Sequence, residues 1–263
     1  MTRIYTFVNQ KGGVGKTTTA ISLASYLAQL EQRVLLVDLD PQANATSSLG
    51  VDKSKVVGGV YDTLINGARA SSHVLHSPQL KLALLPSSAA LAGAEVELVG
   101  ELARESRLRD ALNPTVDRYD YILIDCPPSL GLLTVNGLVA ARDGVIIPVQ
   151  CEYLALEGLS ALTHTIARVR TALNAGLDIR GLVMTMFDAR ASLAHQVVAE
   201  VSRHFPGKVF KAIIPRSVRL AEAPSHGLPI SLYAPNSAGA LAYRALAEEL
   251  LRDDQGAHIT DEP

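Results

Sequence analysis

The chain has 263 residues, of which 48% are hydrophobic and 5% aromatic, with no tryptophan. This balance favours an Ala/Leu/Val core between helices and a sheet over an aromatic-rich β-sandwich, and the length suffices for one large α/β domain. A net charge of −2 excludes a global field that attracts nucleic acid, and two cysteines provide no disulfide framework, so a reducing cytosol is the simplest compartment.

The first predicted unit is a strand, a glycine-rich turn and a helix in immediate succession. The apolar run 4–8 predicts the strand, 11–18 the turn and 19–28 the helix. Glycines let the backbone direct its N–H groups at an anion, and the helix N-terminus adds its positive dipole end. We therefore predict a nucleotide-phosphate site, in which Lys16 reaches the β- and γ-phosphates and the Thr17 hydroxyl binds Mg²⁺.

The turn departs from the usual phosphate-loop pattern at its start. Gln10 stands where that pattern has its first glycine, and Lys11 adds a second lysine inside the loop. Since Lys16 already supplies positive charge within one subunit, Lys11 is interpreted either as a cation that reaches the nucleotide of a second subunit or as a solvated side chain at the loop entrance. The first interpretation implies an ATP-dependent dimer with nucleotide at its interface.

Apolar runs and helical patterns alternate along the rest of the chain. The segment 38–48 is polar and contains a proline, which predicts a loop. Strands alternating with helices predict a single-domain P-loop NTPase fold of class α/β, with a mostly parallel, twisted sheet of about seven or eight strands and helices on both faces. This domain is predicted over 1–252, followed by a polar tail over 253–263 that we expect to be disordered. Further strands are predicted at 33–37, 80–85, 121–125, 144–149, 179–186 and 209–214, and helices at 60–65, 91–112, 154–173, 191–205 and 237–251.

Three aspartates follow two of the predicted strands. Asp38 and Asp40 come after strand 33–37, and Asp125 ends strand 121–125. Because ligands of parallel sheets bind at the carboxyl ends of the strands, these carboxylates should converge on the phosphate turn. Asp125 suits Mg²⁺, directly or through water, with a loop cap as the alternative. Of Asp38 and Asp40, one could face Mg²⁺ while the other orients the attacking water, or the second could simply start an Asp-Pro turn.

Several segments together resemble the ParA/Soj chromosome-partition ATPases of the ParA/MinD superfamily. KGGVGKT at 11–17 matches the deviant Walker A box of that superfamily. The resemblance extends from residue 4 to about residue 250, and it rests further on segments 37–42, 124–130, 148–153, 185–190 and 214–225.

This resemblance implies a Mg²⁺-dependent ATPase that forms a homodimer with ATP and binds DNA nonspecifically in that form. Such a protein would drive chromosome or plasmid segregation in the cytoplasm, on the nucleoid, with hydrolysis stimulated by a ParB/Spo0J-type centromere-binding protein. Ala43 departs from the family, which often has glycine there, but removes no functional group.

The resemblance also implies roles for particular residues. Lys11, Lys16 and Asp40 would be catalytic, with Lys11 acting across the dimer and Asp40 as the hydrolytic aspartate. The nucleotide would contact Lys11, Gly12, Gly13, Val14, Gly15, Lys16, Thr17 and Thr18 at its phosphates and Pro215 and Arg216 near its adenine; Mg²⁺ would be held by Thr17, Asp40 and the Walker B residue Asp125; and DNA would contact Arg190 and Arg219.

Local charge supports a DNA face and weighs against two alternatives. Residues 180–219 hold seven basic and two acidic side chains, a local charge of +5, which suits phosphate contact without base readout. A MinD-like membrane-associated ATPase should end in a basic amphipathic helix, but residues 244–263 carry two basic and six acidic side chains, so no membrane partner is expected. A P-loop ligase such as dethiobiotin synthetase would need a second substrate pocket, which the sequence leaves open.

Overall fold

One seven-stranded sheet organises the protein. The computed structural model describes residues 1–153 and 155–259, without the side chains of residues 155, 157 and 257–259. The strands are β1 (Arg3–Phe7), β2 (Val34–Asp38), β3 (Leu75–Ser77), β4 (Leu82–Leu85), β5 (Tyr121–Asp125), β6 (Gly144–Gln150) and β7 (Ile179–Thr185). Their order across the sheet is β3-β4-β2-β5-β1-β6-β7, and every neighbouring pair is parallel except β3 with β4. The predicted fold class is confirmed.

Helices cover both faces of this sheet. They are α1 (Lys16–Gln29), α2 (Asn44–Ser48), α3 (Val60–Ile65), α4 (Leu91–Glu97), α5 (Arg107–Leu112), α6 (Leu132–Ala140), α7 (Ala155–Ala172), α8 (Ser192–His204), α9 (Val218–Glu222), α10 (Ile230–Tyr233) and α11 (Ala238–Ile259). Strands β2 and β5 are buried along their whole length, as their continuous apolar runs require when both faces are covered. One core cluster includes residues of α1 and α11, and the other includes residues of α3 to α8.

One predicted helix and one predicted strand are wrong, and backbone geometry explains both. The helix predicted over 91–112 is broken, because Ala103 adopts a left-handed φ of 52° between α4 and α5. The segment 209–214 is not a strand: Val209 forms a single bridge to Leu182. The N–H groups of residues 211 and 212 donate instead to the carboxylate of Glu249, at 2.8 and 3.1 Å, so they are unavailable to a sheet.

The loop predicted over 38–48 contains the short helix α2. Ala43, immediately before it, has a φ of 53°, a left-handed value at the position where the resembled family often has glycine. Helix α6 and the antiparallel edge strand β3 were not predicted. Helix α11 continues to Ile259, beyond the predicted end at 251, so residues 253–259 of the expected tail are helical and 260–263 lie outside the described residues. Within the described chain, no helix is both long enough and apolar enough to cross a membrane.

Candidate functional site

The glycine-rich turn lies between β1 and α1 and is held by the ends of two neighbouring strands. Gly13 and Gly15 have φ values of 74° and 90°, which residues that carry a Cβ atom adopt only with strain. The Asn9 side chain accepts a hydrogen bond from the N–H of Lys11 at 3.0 Å and donates to the carbonyl of Pro148, in β6, at 2.8 Å. These contacts hold the turn open at the carboxyl edge of the sheet.

A cleft of about 660 Å³ opens above this turn, a volume within the usual range for small-molecule sites. Lys11, Val14 and Asp125 do not line it; Val14 is buried, and its carbonyl accepts a hydrogen bond from the Thr185 hydroxyl at 2.8 Å. The predicted nucleotide-binding residues that line the cleft are Gly12, Gly13, Gly15, Lys16, Thr17, Thr18, Asp40, Pro215 and Arg216.

Lys16 is held at the floor of the cleft. It is only 7% exposed, and its ammonium donates to the carbonyl of Lys11 at 3.3 Å. Burial lowers the pKa of Lys16, while the nearby Asp125 carboxylate opposes that shift. A nearly desolvated cation beside backbone N–H groups is suited to bind phosphate oxygens strongly.

Asp125 is the residue whose environment most clearly calls for a cation. It is fully buried, and neither carboxylate oxygen has a hydrogen-bond partner among the described residues. Burial, together with the negative charge of Asp38, raises the pKa of Asp125 well above its usual range, while the Thr17 hydroxyl and the Lys16 ammonium oppose the shift. An orphaned carboxylate beside a threonine hydroxyl fits Mg²⁺, which takes few protein ligands and completes its shell with phosphate and water.

Asp38 and Asp40 have different environments. Asp38 pairs in register with Asp125 and is fully buried, and both of its carboxylate oxygens accept hydrogen bonds from the loop that follows. Burial raises the pKa of Asp38 to about 6, although hydrogen bonds from Thr46 oppose the shift. Asp40 lines the cleft. Of the two aspartates, only Asp40 has access to the nucleotide, so only Asp40 could face the cation or orient the attacking water.

Lys11 does not line the cleft, and its side chain contacts Glu152, a carboxylate to which the sequence analysis assigned no role. Its ammonium lies 3.2 Å from one oxygen of Glu152, and Arg216 lies 3.5 Å from the other. Gln150 donates to Glu152 at 2.6 Å and orients it. The sequence feature that could have indicated this contact is the position of Glu152, two residues after the end of β6, at the same edge of the sheet as the loop that contains Lys11.

The predicted DNA-contacting arginines are exposed, and each is paired with a carboxylate. Arg190 contacts Asp188 at 3.0 Å, which lowers the pKa of Asp188 to about 2, and Arg219 contacts Glu222 at 2.9 Å. The basic segment 180–219 does not form one surface. Arg180 lies near the start of β7, at the opposite edge of the sheet, where it pairs with Asp254.

A family model described as "AAA domain" matches residues 2–179 of this chain. The chain is 56% identical to chromosome partitioning protein ParA of Myxococcus xanthus over 253 residues, which cover 96% of this chain and 89% of that protein. It is 53% identical to sporulation initiation inhibitor protein Soj of Bacillus subtilis, over 95% of this chain and 98% of that protein.

A solved structure has the same fold with nucleotide and metal bound. The crystal structure of cobyrinic acid a,c-diamide synthase from Mycobacterium smegmatis with bound ADP and magnesium superposes with a TM-score of 0.86. It is 38% identical in sequence, over 98% of this chain and 97% of that chain.

Proposed function

The chain belongs to the ParA/Soj family of P-loop ATPases, and we propose that it segregates a chromosome or plasmid as an ATP-controlled switch. ATP hydrolysis is its enzymatic activity, and ATP and Mg²⁺ are its cofactors. In the proposed cycle, ATP joins two subunits and the dimer binds DNA nonspecifically. A ParB/Spo0J-type partner stimulates hydrolysis, and subunits carrying ADP leave the DNA. The protein then works in the cytoplasm, on the nucleoid.

The position of Lys11 carries this proposal. Its side chain does not line its own cleft and is 42% exposed, and among the described residues its ammonium is held by Glu152 alone. An exposed ion pair of this kind contributes little free energy, so a triphosphate presented by a second subunit would outcompete Glu152 for the ammonium. ATP, with more phosphate charge than ADP, would therefore favour the dimer.

Within each subunit, the roles of Lys16, Thr17 and Asp40 follow from their access to the cleft, and that of Asp125 follows from its buried carboxylate beside the Thr17 hydroxyl. Lys16 would bind phosphate, Thr17 and Asp125 would hold Mg²⁺, and Asp40 would orient the attacking water. When it binds, Mg²⁺ would neutralise part of the negative charge of the phosphates.

DNA co-sedimentation with ATP, with ADP and without nucleotide tests the switch. We expect retention on DNA with ATP only, and stable retention for Asp40→Ala, which would bind ATP without hydrolysing it. DNA binding that is equal in all three nucleotide conditions would contradict the proposal.

A second candidate is an acid-activating ligase, because the 38%-identical M. smegmatis structure carries a synthase name. The two curated relatives described above, at 56% and 53% identity, carry partition and sporulation names, which favours the switch. A ligase should hydrolyse ATP only when a carboxylic acid substrate is added, and its turnover should ignore DNA. ATP turnover assayed with DNA and without any carboxylic acid distinguishes the two functions.

A further inference from the structure

A closed cycle of hydrogen bonds lies directly behind Asp40. Its other members are Asp38, Thr46 in α2, and Ser87, which comes two residues after β4; these three side chains are wholly buried. Asp40 is the only one of the four that lines the nucleotide cleft. Any effect of these hydrogen bonds on the nucleotide must therefore be transmitted through Asp40.

Asp38 forms one half of the cycle. One of its carboxylate oxygens accepts hydrogen bonds from both the N–H and the hydroxyl of Thr46, each at 2.7 Å. The other oxygen accepts the N–H of Asp40 at 3.2 Å. With both oxygens engaged, Asp38 is a scaffold for the loop after β2.

Ser87 forms the other half. Its N–H donates to the Thr46 hydroxyl oxygen at 3.0 Å, and its own hydroxyl donates to the carbonyl oxygen of Asp40 at 2.7 Å. The N–H of Asp40 is thus held by Asp38 and its C=O by Ser87. Since these two contacts restrain the backbone of Asp40, they also restrain the direction of its Cα–Cβ bond, while the carboxylate itself accepts the N–H of Gln42 at 2.8 Å.

We propose that Ser87 is a positioning residue for ATP hydrolysis, whose hydroxyl holds the backbone of Asp40 so that the carboxylate stays directed at the attacking water. This inference rests on the hydrolytic role proposed for Asp40. Phosphoryl transfer depends mainly on positioning, and a displacement of about 1 Å can cost about 100-fold in rate. A buried hydroxyl can therefore control the rate without touching nucleotide.

The variant Ser87→Ala removes this one contact. The N–H of Ser87 still donates to Thr46, and the carbonyl of Asp40 still accepts the N–H of Ala43 at 2.8 Å, so the turn is retained. We expect kcat for ATP hydrolysis to fall about tenfold, while the Kd for a non-hydrolysable ATP analogue stays within about twofold. Ser87→Cys, which keeps a weaker donor, should have an intermediate kcat.

Ser88→Ala is the matched control. Ser88 is the next residue, and its hydroxyl makes no hydrogen bond within the part of the chain that the structure describes, so this variant should hydrolyse ATP like the wild type. A wild-type kcat for Ser87→Ala overturns the proposal, and so does a loss of ATP affinity as large as the loss of kcat. If Ser87→Ala fails to fold, Ser87→Cys decides: an intermediate kcat with unchanged ATP affinity supports the proposal, and a wild-type kcat overturns it.

Asp40→Ala, assayed in parallel, separates this inference from the proposed function. If Asp40→Ala hydrolyses ATP at the wild-type rate, the role of Asp40 itself is wrong. If Asp40→Ala is inactive while Ser87→Ala is unaffected, only the inference about Ser87 fails.

Discussion

Two lysines of one loop have opposite environments, and that contrast makes their functions separable. Lys16 is 7% exposed and lines the cleft, whereas the Lys11 side chain is 42% exposed and paired outside it. A cation that binds phosphate within the subunit must lie in the cleft, and one that acts across an interface must be accessible from outside. The structure thus assigns each lysine an environment suited to a different one of the two tasks.

Lys16→Ala should raise the Kd for ATP at least about 30-fold, because a charge-assisted contact to phosphate in a desolvated site contributes about 2 kcal/mol. Lys11→Ala is the matched control within the same loop. It should keep its affinity for ATP and lose the ATP-dependent dimer. Titration with a fluorescent ATP analogue measures the first effect, and sedimentation velocity with a non-hydrolysable analogue measures the second. Equal losses of ATP affinity in both variants would contradict the assignment.

The orphaned carboxylate of Asp125 predicts a pH dependence of stability. Its folded-state pKa lies well above the unfolded value, so the folded state favours the protonated form and loses stability as the pH rises from about 4 through the folded pKa. Asp125→Asn removes this charge and keeps the size of the side chain, and the neighbouring Thr17 hydroxyl can still donate to the amide oxygen. Without Mg²⁺, the variant should therefore gain stability relative to wild type as the pH rises from 5 to 7.

Urea unfolding at pH 5, 6 and 7 measures this difference. Mg²⁺ with ADP should then stabilise the wild type more than Asp125→Asn, because the variant has lost a metal ligand. If the free energies of unfolding of the two proteins change with pH in parallel, the pKa of Asp125 is not raised.

At the scale of elements, the sequence predicted those whose pattern is decided locally. The continuous apolar runs of β2 and β5 are buried on both faces, and their final aspartates lie side by side as expected from parallel strands. The segment 209–214 has an equally good strand pattern and still forms none, because Glu249, which is distant in sequence, binds two of its N–H groups. The hydrophobic pattern of a segment cannot show that a side chain from a distant helix, here Glu249 in α11, binds the N–H groups that a strand would need.

The site was predictable to the same extent. The sequence placed Lys16, Thr17 and Asp40 at one edge of the sheet, and all three line the cleft. The residue pattern alone could not separate Asp38 from Asp40, which only the family resemblance did, because that difference depends on Thr46 and on the fold of α2. It also missed Glu152 as the contact of Lys11, since that pairing joins the loop after β1 to the end of β6.

Helix α11 extends beyond its predicted end because of a buried carboxylate. Asp254 is 5% exposed and accepts hydrogen bonds from the hydroxyls of Tyr5 at 2.7 Å and Tyr121 at 3.0 Å, and it pairs with Arg180 at 3.2 Å. From sequence alone, Asp254 looked like part of a polar tail. Its contacts instead fasten the helix to three strands of the sheet.

Asp254→Ala should lower the free energy of unfolding by about 3 kcal/mol, because it leaves Arg180 and two buried tyrosine hydroxyls without their shared acceptor. Asp253→Ala, at the exposed neighbouring position, should cost less than about 0.5 kcal/mol, since its contact to Arg180 is long and partly solvated. Both variants should bind ATP normally, because these residues lie at the edge of the sheet opposite the cleft. Equal destabilisation by the two substitutions would argue against the anchoring role.

At the scale of the whole molecule, net charge and local charge work against each other. The chain carries −2 overall, so DNA affinity in the proposed switch must come from a few exposed cations. Of the basic residues in 180–219, Arg190 and Arg219 lie in or after the loops at the carboxyl edge of the sheet. Arg203 lies in the last turn of helix α8, which runs back to the opposite edge. Position on the sheet, and not the sum of charges along the segment, should decide which arginines contact DNA.

The salt dependence of DNA binding tests this directly. If Arg219 contacts one phosphate in each subunit, Arg219→Ala removes two contacts from the dimer and reduces the slope of log K against log salt by about 1.8. Arg203→Ala should leave that slope unchanged, although it removes the same charge from the same segment. Glu222→Gln should act in the opposite direction and strengthen binding, because it frees Arg219 from its 2.9 Å ion pair. Fluorescence anisotropy with a DNA duplex and a non-hydrolysable ATP analogue measures the affinity and the salt slope of all three variants. If the slope falls equally for Arg203→Ala and Arg219→Ala, net charge and not the position of the arginine governs DNA binding.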